Sequence, residues 1–485
     1  MIDPCEVLVD PRCSISTPER TLVAHAAPDP RRDDAHDEPL TSTGSVPTTS
    51  GAIPTITGAI PVMEDVADHD LAQLPSEEEL SRTRGKVTIL VIVVLTTLSA
   101  IGPLATDMYI PAFPEVASDL GTSASRMQLT ITAFFLGTAS GQVVAGPLSD
   151  RLGRRTPLLI GIVLCLLASI GCALAPSVEF LLVLRILQGI GGGFGMVLGR
   201  AVLIDMTDGP ELFRLMNIMQ GVGGVAPIVA PLLGGIILVF GQWREIFLVI
   251  SAMSLISLIG VLTRIPESLP PSRRHAGGFH TFLRNCRTLL RRRIFVAYML
   301  VNAFSAFALM AYVSASSFVV QEMLGFTSSE YSVSFAINSM GMMALSLLSA
   351  RLTRSIHPRK LIRVGLIVVT LASFSLLIGS LFLDTPAWIV LPAFFFTVAP
   401  QGLIFGNGGA LASDQAREIA GTGSAMLGLG FSFSASIAAP LVGIAGTHSS
   451  LPMAITMVIG CLISGAFFVV AGRGSGTPNP HTGAH

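Results

Sequence analysis

A chain of 485 residues that is 51% apolar and 13% charged, with a mean hydropathy of +0.68, falls outside the soluble globular class, in which about 25% of residues are charged. Its net charge of −1 hides an asymmetry, because residues 1–80 hold sixteen Asp/Glu against four Lys/Arg and the remainder is basic. The two lysines, Lys86 and Lys360, stand in no G-x-x-x-x-G-K-[ST] sequence, and no complete G-x-G-x-x-G occurs, so ATP bound to this chain is excluded as a driving force.

Residues 1–85 are rich in Pro, Ser, Thr, Asp and Ala and include the low-complexity stretch "GAIPTITGAIPV". They lack a basic segment followed by an apolar one and read as a disordered acidic cytoplasmic tail. From Val87 onward, apolar stretches of the roughly 20 residues that a bilayer crossing needs follow one another. They cover 87–112, 127–148, 156–176, 179–203, 214–240, 245–264, 294–320, 329–350, 363–383, 386–412, 420–446 and 451–472, which makes twelve. The predicted fold is all-α, with twelve transmembrane helices in two pseudo-symmetric six-helix bundles around a central cavity. The bundles span 86–265 and 294–472, joined by a basic linker over 266–293 and followed by a short cytoplasmic tail, 473–485. Of the 26 Lys/Arg beyond residue 80, 23 fall on one side of this arrangement. Both termini are therefore expected in the cytoplasm. Repetition supports the division: Ile228–Gly234 reads "IVAPLLG" and Ile437–Gly443 reads "IAAPLVG", in the fifth crossing of each half.

Asp107 stands near the outer end of the first crossing, and an ionised acid in that position marks a functional site by default. The loop after the second crossing reads "GPLSDRLGRRTPLL". Gly146 and Gly153 are expected to permit its tight turn, and Asp150 to accept hydrogen bonds from Arg151, Arg154 or Arg155, making a cytoplasmic latch. In the fourth crossing, "RILQGIGGGFGMVLGRAVLID", Gly191, Gly195 and Gly199 form a small-residue stripe for close helix approach. Arg185 lies at a depth similar to that of Asp107, where carboxylate and guanidinium can compensate each other. In the fifth crossing, "GVGGVAPIVAPLLGG", which begins with Gly221 and includes Gly223, Pro227 and Pro231 are expected to kink the helix, while Gly234 and Gly235 keep its surface flat against a neighbour. Tyr109, Gln188, Asn302, Phe307, Tyr312, Gln401 and Asn407 are candidates for the cavity wall. The six cysteines show no metal-like or paired spacing and are expected to be free thiols.

The loop matches the signature G-x-L-x-D-R-x-G-R-[RK] at Gly146, Leu148, Asp150, Arg151, Gly153, Arg154 and Arg155, and here the chain resembles the major facilitator superfamily. The fifth-crossing segment resembles the motif of that superfamily's antiporter branch. "TDMYIPAFP" and "GRAVLID" resemble the bicyclomycin and chloramphenicol resistance group among its twelve-helix drug/proton antiporters. The resemblance implies proton-driven export of small drug-like molecules by alternating access, with Asp107 carrying the proton and Arg185 assisting. It implies no enzymatic activity, no cofactor and no metal. The implied partners are a small-molecule substrate, protons and the lipid bilayer, without nucleic acid, and a monomer is expected. Two other readings stay open: a proton-coupled transporter of a metabolite such as a sugar or amino acid, and a polytopic protein that binds a ligand without moving it.

Overall fold

A computed structural model describes residues 89–207, 209–274, 278–383, 385–443 and 449–473. The expected acidic tail, and the final segment beyond Arg473, lie outside these residues. In the described part all regular structure is helical, and twelve helical spans are long and apolar enough to cross a bilayer. Helices satisfy every interior backbone group within the segment, the condition that hydrocarbon imposes.

The first crossing is made of two helices, α1 (Ile89–Asp107) and α2 (Phe113–Asp119), with a 3-10 turn at Ile110–Ala112 between them. Then follow α3 (Ala124–Leu152), α4 (Arg155–Ala173), α5 (Val178–Met206), α6 (Gly209–Phe240) and α7 (Trp243–Arg264). A short surface helix, α8 (Gly278–Leu290), leads to the second half. This half comprises α9 (Arg293–Phe318), α10 (Ser328–Leu352), α11 (Pro358–Phe382), the pair α12 (Ala387–Val398) and α13 (Gln401–Asp414), α14 (Ala420–Val442) and α15 (Leu451–Arg473). Local chemistry sets several starts. Ser123 and Ser177 accept from backbone N–H groups at the heads of α3 and α5, and Thr327 with Glu330 forms a capping box on α10.

Many large apolar side chains point outward: Leu167, Val239, Ile256 and Leu371 are each more than 60% exposed. That surface is suited to lipid. Close packing inside the first half is carried by glycine. A Cβ on Gly137 would lie 2.1 Å from the carbonyl oxygen of Ile186, and one on Gly189 would lie 2.1 Å from that of Phe134, so α3 and α5 meet backbone to backbone. The expected stripe on α5 divides between two neighbours. Gly191 abuts Gly161 and Cys165 of α4, whereas Gly195 and Gly199 face Leu98 and Leu95 of α1. A helix with neighbours on several sides cannot give one row of glycines to one partner. Gly189 and Gly193 instead form the tight seam against α3.

The halves meet with pseudo-two-fold logic, in that α6 packs on α10 and α14 packs on α3. These are the fifth helix of each half against the second of the other. Glycines at the end of the repeated segment, or one residue past it, lie at both seams: a Cβ on Gly235 would come within 2.5 Å of Ser332 Oγ, and one on Gly443 within 2.6 Å of Gln128 Oε1. Two hydrogen bonds join the halves at the Phe113 end. Ser125 Oγ donates to the carbonyl of Gly443, and Gln321 Nε2 donates to that of Pro111 at 3.0 Å. Phe113 and Phe318 also meet there, with ring centroids 5.9 Å apart.

Candidate functional site

The first crossing breaks at Asp107. Prolines at 111 and 114 cannot donate to the turn before them, so the helix cannot run on unbroken. The Tyr109 N–H bonds to the carbonyl of Thr106 at 3.2 Å instead of reaching Ala105. The break leaves the Ala105 carbonyl without its helical donor, and Asp107 is the last residue of α1. Thr106 Oγ1 stands 3.1 Å from Asp107 Oδ1, but its single proton is also claimed by the Pro103 carbonyl at 3.0 Å. The carboxyl is weakly held by protein donors.

Asp107 opens onto a cavity of about 280 Å³ at the centre of the described bundle. Both halves contribute to it. α1 supplies Gly102, Pro103, Thr106 and Asp107; α3 supplies Phe134, Phe135 and Thr138; the second half supplies Tyr312, Phe335, Phe405 and Phe431 among others. Asp107 is the single charged side chain in a wall of aromatic, Met and aliphatic groups. Such a chamber suits a small, largely apolar guest with one polar or cationic feature.

Arg185 is fully buried and fills the gap that the helix break creates. Its Nη1 donates to the freed Ala105 carbonyl at 3.0 Å and to Gln188 Oε1 at 2.6 Å. Gln188 in turn donates to Ser169 Oγ at 2.7 Å. The guanidinium lies against three rings, with centroids 4.5 Å away for Phe134, 5.0 Å for Tyr109 and 5.9 Å for Phe247. Nε and Nη2 have no hydrogen-bond partner among the described residues. Arg185 and Asp107 are brought near each other, since Arg185 touches the backbone two residues before Asp107. Their direct compensation is absent in this conformation: the guanidinium is spent on a carbonyl and on ring faces, and the carboxylate turns to the cavity.

Of the other candidates for the wall, Tyr312 lines the cavity, with its hydroxyl accepting from Asn338 Nδ2 at 3.0 Å. Tyr109 is buried among Phe113, Phe247 and Arg185. Gln401 donates to the Ser305 carbonyl, Asn407 donates to Ser349 Oγ, Asn302 abuts Gly408, and Phe307 packs beside Gly460. These five, with Gln188, serve seams between helices and do not line the cavity. The aromatic and Met groups that do line it, such as Phe134, Met196 and Phe431, resemble any lipid-facing residue in the sequence and carry no distinguishing signal.

At the opposite end from Phe113, the signature loop is the hub of an ionic network. Arg154 pairs with Asp150 at 2.7 Å and with Asp205, at the end of α5, at 3.0 Å. It also donates to Ser149 Oγ at 2.7 Å. Glu267, past the end of α7, accepts from the backbone N–H groups of Arg154 and Arg155 at 2.7 and 3.2 Å, and Arg155 Nη2 reaches the Leu262 carbonyl at 2.8 Å. Asp205 and Glu267 were not among the sequence candidates, although Glu267 is the sole acid in 266–293, a signal that could have marked it. Gly146 does not shape the turn as expected. It lies within α3, where an added Cβ meets nothing within 4 Å, because the helix continues to Leu152. Gly153 makes the turn, at φ +91°, with Glu267 Oε2 2.4 Å from where its Cβ would stand. Gly153→Ala is expected to lower the melting temperature of the purified protein, and Gly146→Ala, inside α3, to leave it unchanged or raise it, with a stability gain of up to about 1 kcal/mol. Thermal unfolding followed by tryptophan fluorescence distinguishes the two.

The fifth-crossing motif is placed where it affects both the break and the seam. Gly234 lets α6 cross the first helix at Met108, whose carbonyl oxygen would lie 2.2 Å from an added Cβ, and Gly235 meets α10 of the other half. Pro227 lines the cavity, whereas Gly223 has nothing within 4 Å. Pro227 and Pro231 both lie inside α6.

Fold and site together define a twelve-helix carrier with one central chamber between two similar halves. The Major Facilitator Superfamily family model matches residues 95–440, and the chain belongs to that superfamily. It is 36% identical to an uncharacterized MFS-type transporter, YdgK of Bacillus subtilis, over 80% of this chain and 97% of that protein. It is 31% identical to the bicyclomycin resistance protein homolog of Haemophilus influenzae, over 77% and 93% respectively. The multidrug resistance protein MdtL of Vibrio parahaemolyticus is 26% identical over 76% and 92%. Among solved structures, a bacterial homologue of the human lysosomal transporter Spinster, in an inward-facing conformation, superposes with a TM-score of 0.62 at 17% identity, covering 79% of this chain and 96% of that one. A D-xylose-proton symporter gives 0.61 at 17% identity, covering 80% and 97%. These two share the fold. The protein is a multi-pass membrane transporter and not an enzyme.

Proposed function

We propose that this transporter exports small, mostly apolar, drug-like molecules from the cytoplasm in exchange for protons, as a monomer in the bacterial cytoplasmic membrane. The reading rests above all on one observation: among the described residues, Asp107 is the only charged group in the wall of a mostly apolar central cavity. An ionised carboxylate there costs several kcal/mol unless something neutralises it. A proton can do so, and so can a cationic or hydrogen-bond-donating substrate. Because each relieves the same cost, each weakens the binding of the other, and this reciprocal linkage is what exchange requires.

The arginine-rich end that carries Gly153 is assigned to the cytoplasm by the positive-inside rule. The contacts at the Phe113 end then bar the chamber from the outside. Rearrangement opens the outer end, where a proton entering at Asp107 displaces the substrate. The resistance proteins among the relatives support a drug-like cargo. Everted vesicles from an efflux-deficient strain expressing the protein test the reading. A panel of antibiotics and dyes should include compounds that dissipate an imposed pH gradient and accumulate in the vesicles. Gradient-independent accumulation of every compound would refute proton exchange.

A further inference from the structure

The helix α8 between the two halves takes no part in the cavity or in the ionic network. Its two faces differ sharply. Leu289 is fully buried in a cluster with Phe295 and Ile362, and Cys286 packs beside it. Round the helix from that face, by about 100°, Leu283 and Leu290 are 49% and 55% exposed. At helical spacing these two leucines lie on one line with Arg287 between them, and Arg284 and Arg291 flank the line; all three arginines are exposed. The nearby Arg274 and Arg292 pair with Glu267 and Glu418, but Arg284, Arg287 and Arg291 have no ion pair among the described residues.

The geometry points to this face as a docking surface for anionic phospholipid headgroups, with the leucines entering the acyl boundary and the three arginines holding phosphates. Position supports the occupant. Leu290 is three residues from Arg293, where the seventh crossing starts, and three residues reach at most about 10 Å. The Leu290 end of the helix is therefore held close to the level at which the seventh crossing starts, and its contacts with α3, α9 and α14 keep it against the bundle. Charge supports it too, because a basic face with apolar residues set among the charges is the pattern of an interfacial helix. An acidic protein partner would match the arginines but leave the leucines unexplained. Since α8 touches α3 in one half and α9 and α14 in the other, lipid that holds it down bears on both halves at once.

The full-length protein in nanodiscs tests this without any transport assay, so the result is separate from the fate of the export reading. Backbone hydrogen exchange over 278–290 is compared between phosphatidylcholine alone and phosphatidylcholine doped with phosphatidylglycerol. The expected result is exchange slowed roughly tenfold by the anionic lipid, with the protection removed by high salt. The variant R284Q/R287Q/R291Q should lose that protection, its apparent affinity for phosphatidylglycerol falling on the order of a hundredfold, while exchange in α3 and α9 stays native. Equal exchange in the two lipid compositions, or protection that survives the triple substitution, overturns the proposal.

Discussion

Asp107→Asn is expected to abolish substrate-induced proton movement in everted vesicles, reducing it to the level of vesicles without the protein. Asparagine keeps the shape of the side chain and resembles its protonated state, so the cavity and its apolar wall remain. What disappears is the group whose charge makes proton and substrate compete. Passive exchange of a neutral substrate should therefore survive while accumulation against a gradient does not. The same substitution should raise thermal stability, because an unpaired carboxylate among Phe134, Phe135 and Phe335 is a cost that the fold carries for function; because Asp107 ends α1, the gain should fall below the roughly 3 kcal/mol of an Asp at a helix centre in the bilayer. Asp107→Glu, which keeps a titrating group, should retain part of the coupling. An Asp107→Asn protein that still drives proton movement would remove Asp107 from the mechanism.

Gly189→Val is expected to be the most damaging packing change in the first half. Its Cβ would stand 2.1 Å from the Phe134 carbonyl oxygen, and the obstacle is backbone, which cannot rotate aside. To accept it, α3 and α5 must separate, opening the seam that also holds Gly137, Gly141 and Gly193 and moving Phe134 away from Arg185. A cost of roughly 3 kcal/mol or more is expected, at the upper end for overpacking, and should appear as loss of folded protein on size-exclusion chromatography in detergent. Gly223→Ala is the matched control in α6. Its Cβ meets nothing within 4 Å, and replacing a helical glycine should be neutral or stabilise by up to about 1 kcal/mol.

The bundle was readable in the sequence because hydrocarbon imposes a length and a polarity on every crossing, and the twelve apolar stretches have no other use. Asp107 stands out for the opposite reason, as a polar group that hydrocarbon makes costly, and the signature loop stands out by the spacing of its Gly, Asp and Arg residues. That same cost misleads at Gln188, Gln401 and Asn407. In a low dielectric, polar side chains are needed wherever helices must be joined, and these three hydrogen-bond to Ser169, the Ser305 carbonyl and Ser349, although in the sequence they look like cavity residues. The wall itself is hidden, since Phe134, Met196 and Phe431 differ in no sequence property from residues that face lipid. Arg185 stands out in the sequence as a buried charge, but its carbonyl partner does not. A carbonyl freed by a helix break at Asp107 is a feature of backbone geometry, signalled in the sequence only by Pro111 and Pro114. Glu267 fell outside the expected latch because its partners are main-chain N–H groups on a loop about 110 residues away.

The central claim is that proton and substrate compete for one carboxyl group. Its most direct test is the proton count on binding: purified protein in weakly buffered detergent solution is mixed with a transported substrate while pH is followed. The account predicts that wild-type protein releases protons in proportion to substrate bound, and that Asp107→Asn binds substrate but releases none. Wild-type binding without proton release, or release undiminished in Asp107→Asn, would contradict it.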